Sequence, residues 1–400
     1  MFSDKTSHHA NGEYAGPTLH KPALLMLSHC VPDAIGSVAR GRAWELLRLA
    51  SQTHRVHLAA IVEAPVDLAQ WRALKQETAD MALQMRHPIT CLIDHARQRL
   101  GAALSPAAAH TDVLRQPTWQ WQAKTEFDVV VCTHPQLLAV ARQLPARLVL
   151  CDMRSRLDTI TATDTRKAQR QLRQIRDRLA HALDAFRAPV TLVVSPEAGA
   201  TALMDDLAPT LCVPEGIDLS YYMDGALLDD STDAEPRVLL HADGRDRGSR
   251  RQIEWFVRKV WPRVREAVPH ARLQETHAAR LRPTSALRQA SVVAALQPQP
   301  ASRFAMLQAM AMHRPIVAAA PAAALTGARH GEHLLLSHTV DEWVSHCREA
   351  LRSASVRMQL ARAARSFVEL HGPISRTGKP ILQALRTPEP AVLTPLRHAA

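Results

Sequence analysis

The chain has 400 residues, too many for one compact domain and suited to two of ordinary size. Hydrophobic residues make up 46% but aromatics only 4%, so the cores are built from Ala, Leu and Val, and collagen-like, mucin-like and wholly disordered classes are excluded. Lys and Arg outnumber Asp and Glu by 49 to 38, and this +11 surplus fits nucleic acid, an anionic membrane face or phosphorylated substrates without choosing among them.

Residues 1–20 read as a polar, flexible leader without an apolar signal core. Residues 22–30 (PALLMLSHC) read as a short buried strand, followed by a Pro/Gly loop. Residues 42–53 have helical spacing, with Trp44, Leu47 and Ala50 on one side, and VHLAAIVEAP is a second strand. Strand, loop, helix, strand opens a doubly wound α/β domain. The pattern recurs in FDVVVC (127–132), RLVLC (147–151) and PVTLVV (189–194), whose fully apolar runs suit parallel strands covered on both faces. Residues 164–187 predict a long helix, apolar at Leu172, Ile175, Leu179 and Leu183 and rich in Arg elsewhere. That basic side is either a solvated face or a contact for an anionic bilayer.

The acidic stretch 223–236 predicts a linker, after which the pattern restarts. RVLLHA, ARLQET, ASVVAAL and RPIVAAA read as strands. RRQIEWFVRKVWPRVREAV, SRFAMLQAMAMH, DEWVSHCREALRS and ASVRMQLARAARSFVELHG read as helices. Residues 373–400 carry Pro and little pattern and read as a tail or a strap. The expected organisation is therefore a leader (1–20), an N-terminal domain (21–222), a linker (223–236), a C-terminal domain (237–372) and a tail (373–400).

No apolar run reaches the roughly 18 residues of a spanning helix, so the expected location is cytoplasmic, with attachment to the inner membrane at most peripheral. None of the six Cys falls in C-x-x-C spacing, and none partners the His residues at zinc-finger spacing, so reduced core thiols and no metal centre are expected. Few aromatic stacking platforms and no recognisable motif argue against a nucleic-acid partner.

Several separated segments arrive in the order of one family. LLMLSHCVPDAIGSVARGRAWELL, then VVSPEAGATALMDDLAP and VPEGIDLSYY, then LQAMAMHRPIVAAAPAAALTG and GEHLLL resemble the family 4 glycosyltransferases of GT-B fold. They are most similar to those of exosortase-associated exopolysaccharide systems in Gram-negative bacteria. The resemblance runs over about residues 22–372. It implies two Rossmann-like, doubly wound domains facing a cleft, with acceptor on the first and nucleotide-sugar donor on the second. It also implies transfer with retention to a lipid-linked or oligosaccharide acceptor. Backbone N–H groups, a helix N-terminus and cationic side chains then meet the pyrophosphate, so no metal or other cofactor is required.

Carried onto this chain, the resemblance implies a donor-side loop at Gly36 and Ser37, which reads otherwise as an ordinary βα turn. Arg42 and Asp152 fall on the acceptor side. Asp152 either orients a sugar hydroxyl or caps the next element. His134, just past FDVVVC, falls near the reacting centre. Glu215-Gly216-Ile217-Asp218 replaces the family's NGVD and is expected to link the domains.

The donor motif centres on Ser302, Arg303 and Gln308. Arg303 stands for the family's cation, as a phosphate ligand and catalytic group. Gln308 stands where the family has a ribose-binding Glu. An amide accepts without charge, which costs about tenfold in donor affinity. The glycines before this helix and the upstream acidic partner are missing. HADGRDRGSRR, with Gly244 and Arg245, replaces another family segment and is either an anion-binding loop or a solvated insertion. These departures leave a second reading open: a degenerate relative that keeps the scaffold and binds a partner.

Overall fold

A computed structural model describes residues 21–62, 65–85, 107–157, 165–196, 204–222, 235–242, 247–277, 283–296 and 300–387. The predicted leader and residues 223–234 of the predicted linker lie outside them.

The first half alternates strand and helix. In order come β1 (Ala23–Ser28), α1 (Val38–Thr53), β2 (Arg55–Val62), α2 (Leu68–Glu77), β3 (Asp80–Met85), α3 (Ala107–Gln122), β4 (Val129–Cys132), β5 (Leu148–Asp152), α4 (Thr165–Leu183), β6 (Val190–Val194) and β7 (Thr210–Cys212). The seven strands form one parallel sheet in the order β3-β2-β1-β4-β5-β6-β7. Its central strands are buried from end to end, which is why they read as unbroken apolar runs. Leu25, Val130 and Val149 face one core, walled by α4 through Ile175 and Leu179; Leu24, Val129 and Leu150 face the other, walled by α1.

The second half contains β8 (Arg237–Ala242), α5 (Arg247–Trp255), α6 (Trp261–Ala267), β9 (Arg272–His277), α7 (Pro283–Gln289), β10 (Val292–Ala295), α8 (Pro300–Ala311), β11 (Ile316–Ala319), β12 (Leu335–Ser337), α9 (Val340–Arg352), α10 (Ala354–His371) and α11 (Lys379–Arg386). Its strands make a second parallel sheet, β12-β11-β10-β8-β9. A π-helical turn, Phe256–Val260, joins α5 to α6, so the single predicted helix over this stretch is wound unevenly.

Several elements were not anticipated. Residues 68–85 hold α2 and β3, and α3, β7, α7 and β12 also lacked a clear pattern. Residues 374–386, expected as a tail or a strap, are helical at Ile374–Thr377 and in α11. Ile381 and Leu385 of α11 enter the apolar layer of the first sheet beside Leu49 of α1, so α11 packs back on the first half. Among the described residues the cysteines form no disulfide, and Cys30, Cys132, Cys151 and Cys347 are buried.

Candidate functional site

Doubly wound sheets gather functional groups at the C-terminal ends of their strands. Four adjacent strands of the first sheet end together at Ser28 and His29 (β1), Thr133 and His134 (β4), Asp152 (β5) and Ser195 (β6). Against this edge lie α1, the segment 215–218 and helix α8 of the second half.

A buried ion network fills the junction. Arg154 donates to both oxygens of Asp152, at 2.9–3.2 Å, and to Glu45 at 2.8 Å. All three side chains are shielded from water. Arg42 pairs with Glu215, which also accepts from Ser195 Oγ at 3.2 Å. Arg303, from the first turns of α8, donates to the backbone carbonyl of Glu215 and to that of Leu325, and lies 3.8 Å from the Glu215 carboxylate. Burial alone would raise the Glu215 pKa, but Arg42, Arg154 and Arg303 outweigh it and hold the carboxyl below its ordinary value. Burial likewise opposes ionisation of Asp152, and Arg154 followed by Arg42 overrides it. Glu45 goes the other way: burial raises its pKa, and Arg154 does not fully offset it.

The expected linking role of 215–218 has a structural basis. Trp44 Nε1 donates to Asp218 at 3.1 Å and Arg48 Nε does so at 3.2 Å. Ile217 pairs through its backbone with Gly372 and Ile374, so both crossings between the halves are tied at one point.

The predicted site residues fall into four groups. Gly36, Arg42, Asp152, Arg303 and Gln308 meet at the junction. Gln308 is buried, and its Nε2 donates to Tyr222 Oη at 2.9 Å and to the Gly36 carbonyl at 3.3 Å. The amide expected to accept from ribose is thus a donor that ties α8 to the loop after β1. Asp152 accepts from the Arg154 backbone N–H at 2.9 Å, with the ion pair added.

His134 is half-buried apart from the network, its ring 5.0 Å from that of His29. His134 Nδ1 accepts the Gln136 N–H at 3.3 Å, so Nε2 carries the ring proton of the neutral form. Burial holds the His29 pKa down to about 4, although Asp152 pulls it upward, so this ring is neutral at pH 7. His29 Nδ1 lies 2.8 Å from Thr133 Oγ1.

Ser37 is half-buried at the N-cap of α1 and makes no side-chain cap bond. Ser302 lies in α8, but its side chain is outside the described residues, as are Gly244 and Arg245 altogether.

Sequence reasoning missed Glu45, Arg154 and Ser195. Glu45 had a signal, a carboxylate inside the apolar run Ala43–Leu47. Arg154 and Ser195 had none. Among the described residues no group of His, Cys, Asp or Glu could hold a metal ion. No described helix is long and apolar enough to cross a membrane.

No protein-family model matches the chain, and none of the curated proteins does. Solved structures match nearly end to end. HepE of Anabaena, in complex with UDP and glucose, superposes with a TM-score of 0.53 at 13% identity, covering 92% of this chain and 100% of that one. Sucrose-phosphate synthase of Thermosynechococcus elongatus gives 0.57 at 13% identity, covering 91% and 98%. TarM of S. aureus, solved with UDP among its ligands, gives 0.56 at 8% identity, covering 92% and 100%. With its two parallel α/β sheets, the chain has the GT-B fold of glycosyltransferases.

Proposed function

We propose that the protein is a glycosyltransferase that moves a hexosyl group, with retention, from a nucleoside diphosphate sugar to a lipid-linked or oligosaccharide acceptor in exopolysaccharide or cell-surface glycan synthesis. The observation that carries this reading is the end-to-end match to GT-B proteins solved with UDP, together with a buried arginine, Arg303, on the first turns of α8. In this reading Arg303 stabilises the charge that develops on the leaving diphosphate, so no metal is required. In this reading His134 stands near the reacting centre, just past β4. The half of the chain ending at Tyr222 takes the acceptor and the half beginning at Arg237 the donor. Exposed Arg170, Arg173 and Arg178 on α4 support peripheral contact with the anionic inner face of the inner membrane.

The test is release of nucleoside diphosphate from UDP-, GDP- and ADP-hexoses, with His134→Ala and Arg303→Ala as variants. Turnover of one donor that both variants lower contradicts any reading without transfer chemistry. Absence of turnover with every donor and a panel of lipid-linked acceptors sinks the transferase.

One observation favours a second reading, a binding or scaffold protein without transferase activity. The Gln308 amide is spent on Gly36 and Tyr222, and both Arg42 and Arg303 are engaged by Glu215. Nucleotide binding without turnover distinguishes it.

A further inference from the structure

Two like charges come from opposite halves of the chain to one carboxylate. Arg42 belongs to α1 in the first half and Arg303 to the first turns of α8 in the second, and both side chains are buried. Glu215, wholly buried on the crossing segment, pairs with Arg42 and lies 3.8 Å from Arg303. Asp152 also feels the Arg42 charge, but it is committed to Arg154 at 2.9–3.2 Å.

Guanidinium groups brought together where water is excluded repel strongly, and each is costly to bury without a counter-charge. The Glu215 carboxylate is what lets Arg42 and Arg303 share the seam. Arg42, Arg154 and Arg303 keep it ionised. The family resemblance has Asn at this position, and a neutral amide supplies no such charge. The other contacts of α8 with the first half are uncharged: Phe304 packs on Gly41, and Gln308 donates to the Gly36 carbonyl at 3.3 Å.

The hold of the carboxylate on Arg303 is looser than its hold on Arg42. Arg42 and Ser195 donate to Oε1, whereas Oε2 accepts no hydrogen bond among the described residues. Arg303 donates instead to the backbone carbonyls of Glu215 and Leu325. It also borders an open cavity of about 830 Å3 behind α8, so a released guanidinium has space to turn into.

We infer that Glu215 is an electrostatic latch. Its charge holds α8 of the second half against α1 of the first and occupies Arg303 while the halves are shut. The latch follows from the ion network, whether or not the chain transfers sugar. In the glycosyltransferase reading it is an autoinhibitory contact, because Arg303 meets a diphosphate only after Glu215 releases it.

The experiment is small-angle X-ray scattering of the full chain as wild type, Glu215→Gln and Arg42→Gln/Glu215→Gln, with a thermal melt of each. Everything outside the seam is common to the three proteins, so differences in radius of gyration report on the seam. The inference expects a compact wild type and a larger radius for Glu215→Gln, whose amide leaves Arg42 and Arg303 to repel. It expects the double variant, which removes one of the two like charges, to return to the wild-type radius. A Glu215→Gln protein that scatters like the wild type overturns the latch, and so does a wild type that is already expanded. A double variant as expanded as the single one overturns it too, because the side chain then acts by shape and not by charge. If Glu215→Gln does not fold, the double variant decides: folded and compact supports the latch, and unfolded overturns it. No arm contains nucleotide, so the latch stands or falls apart from the glycosyltransferase reading, which donor turnover tests.

Discussion

The Phe304 ring of α8 rests on the bare backbone of Gly41 in α1, so closely that any Cβ at position 41 would fall inside it. The two halves therefore meet through a glycine and an aromatic ring. Gly41→Ala should force the seam apart and destabilise the protein by about 1–3 kcal/mol. Adding Phe304→Leu should recover part of that loss. Thermal melts of the two single variants and the double variant check the coupling, and strictly additive effects would contradict direct packing.

Among the described residues Arg154 is the cation that donates to the Glu45 carboxylate, and Asp152 is paired with the same guanidinium. Arg154→Ala should cost about 3–5 kcal/mol, because two buried carboxylates lose their counter-charge. The Glu45→Gln/Arg154→Met pair should be milder than Arg154→Ala. Urea unfolding of both proteins measures the difference.

Gln308 stands where the family resemblance expects Glu, yet restoring Glu should not help. The Gly36 carbonyl would lose its donor and face a carboxylate instead. Gln308→Glu should lower stability by about 1–3 kcal/mol without tightening nucleotide binding. Melting with and without nucleotide reads both effects, and tighter binding would contradict the donor role seen for Nε2.

The His29 ring titrates near 4, against 6.5 for an ordinary imidazole. The unfolded chain thus takes the proton first as pH falls, and the neutral ring's contribution is complete above about 6.5 and lost between there and about 4. The shift is worth at most about 3 kcal/mol. His54, His57, His333 and His346 shift the same way, again chiefly by burial, whereas Glu45 has the opposite sign. Stability should therefore fall from pH 6.5 to 4.5, and His29→Gln should flatten part of that slope. An unchanged slope would contradict a buried neutral His29.

The apolar strands were the most legible elements, because β1, β4, β5 and β6 are buried on both faces and write continuous runs such as VVVC. Edge strand β3 is only half-buried and alternates weakly, and α11 is amphipathic but only eight residues long, so its apolar Ile381 and Leu385 made too short a pattern to stand out. In the site, the family resemblance marked Arg303 and Gln308, and position after a strand marked His134. Their partners were not legible. Whether Arg42 meets a phosphate or Glu215 depends on how the halves close, which no local pattern encodes. Glu45 and Arg154 stand 109 residues apart and come together only through the sheet order.

The most direct measurement is a thermal-shift screen of the full chain against UDP, GDP, ADP and their sugar conjugates, repeated with Arg303→Ala. A ligand that binds only the folded state raises the melting temperature by mass action. The glycosyltransferase account predicts a rise with one nucleotide family that Arg303→Ala abolishes. No rise with any of them up to millimolar concentration would contradict a nucleotide-sugar donor, and with it the proposed transfer.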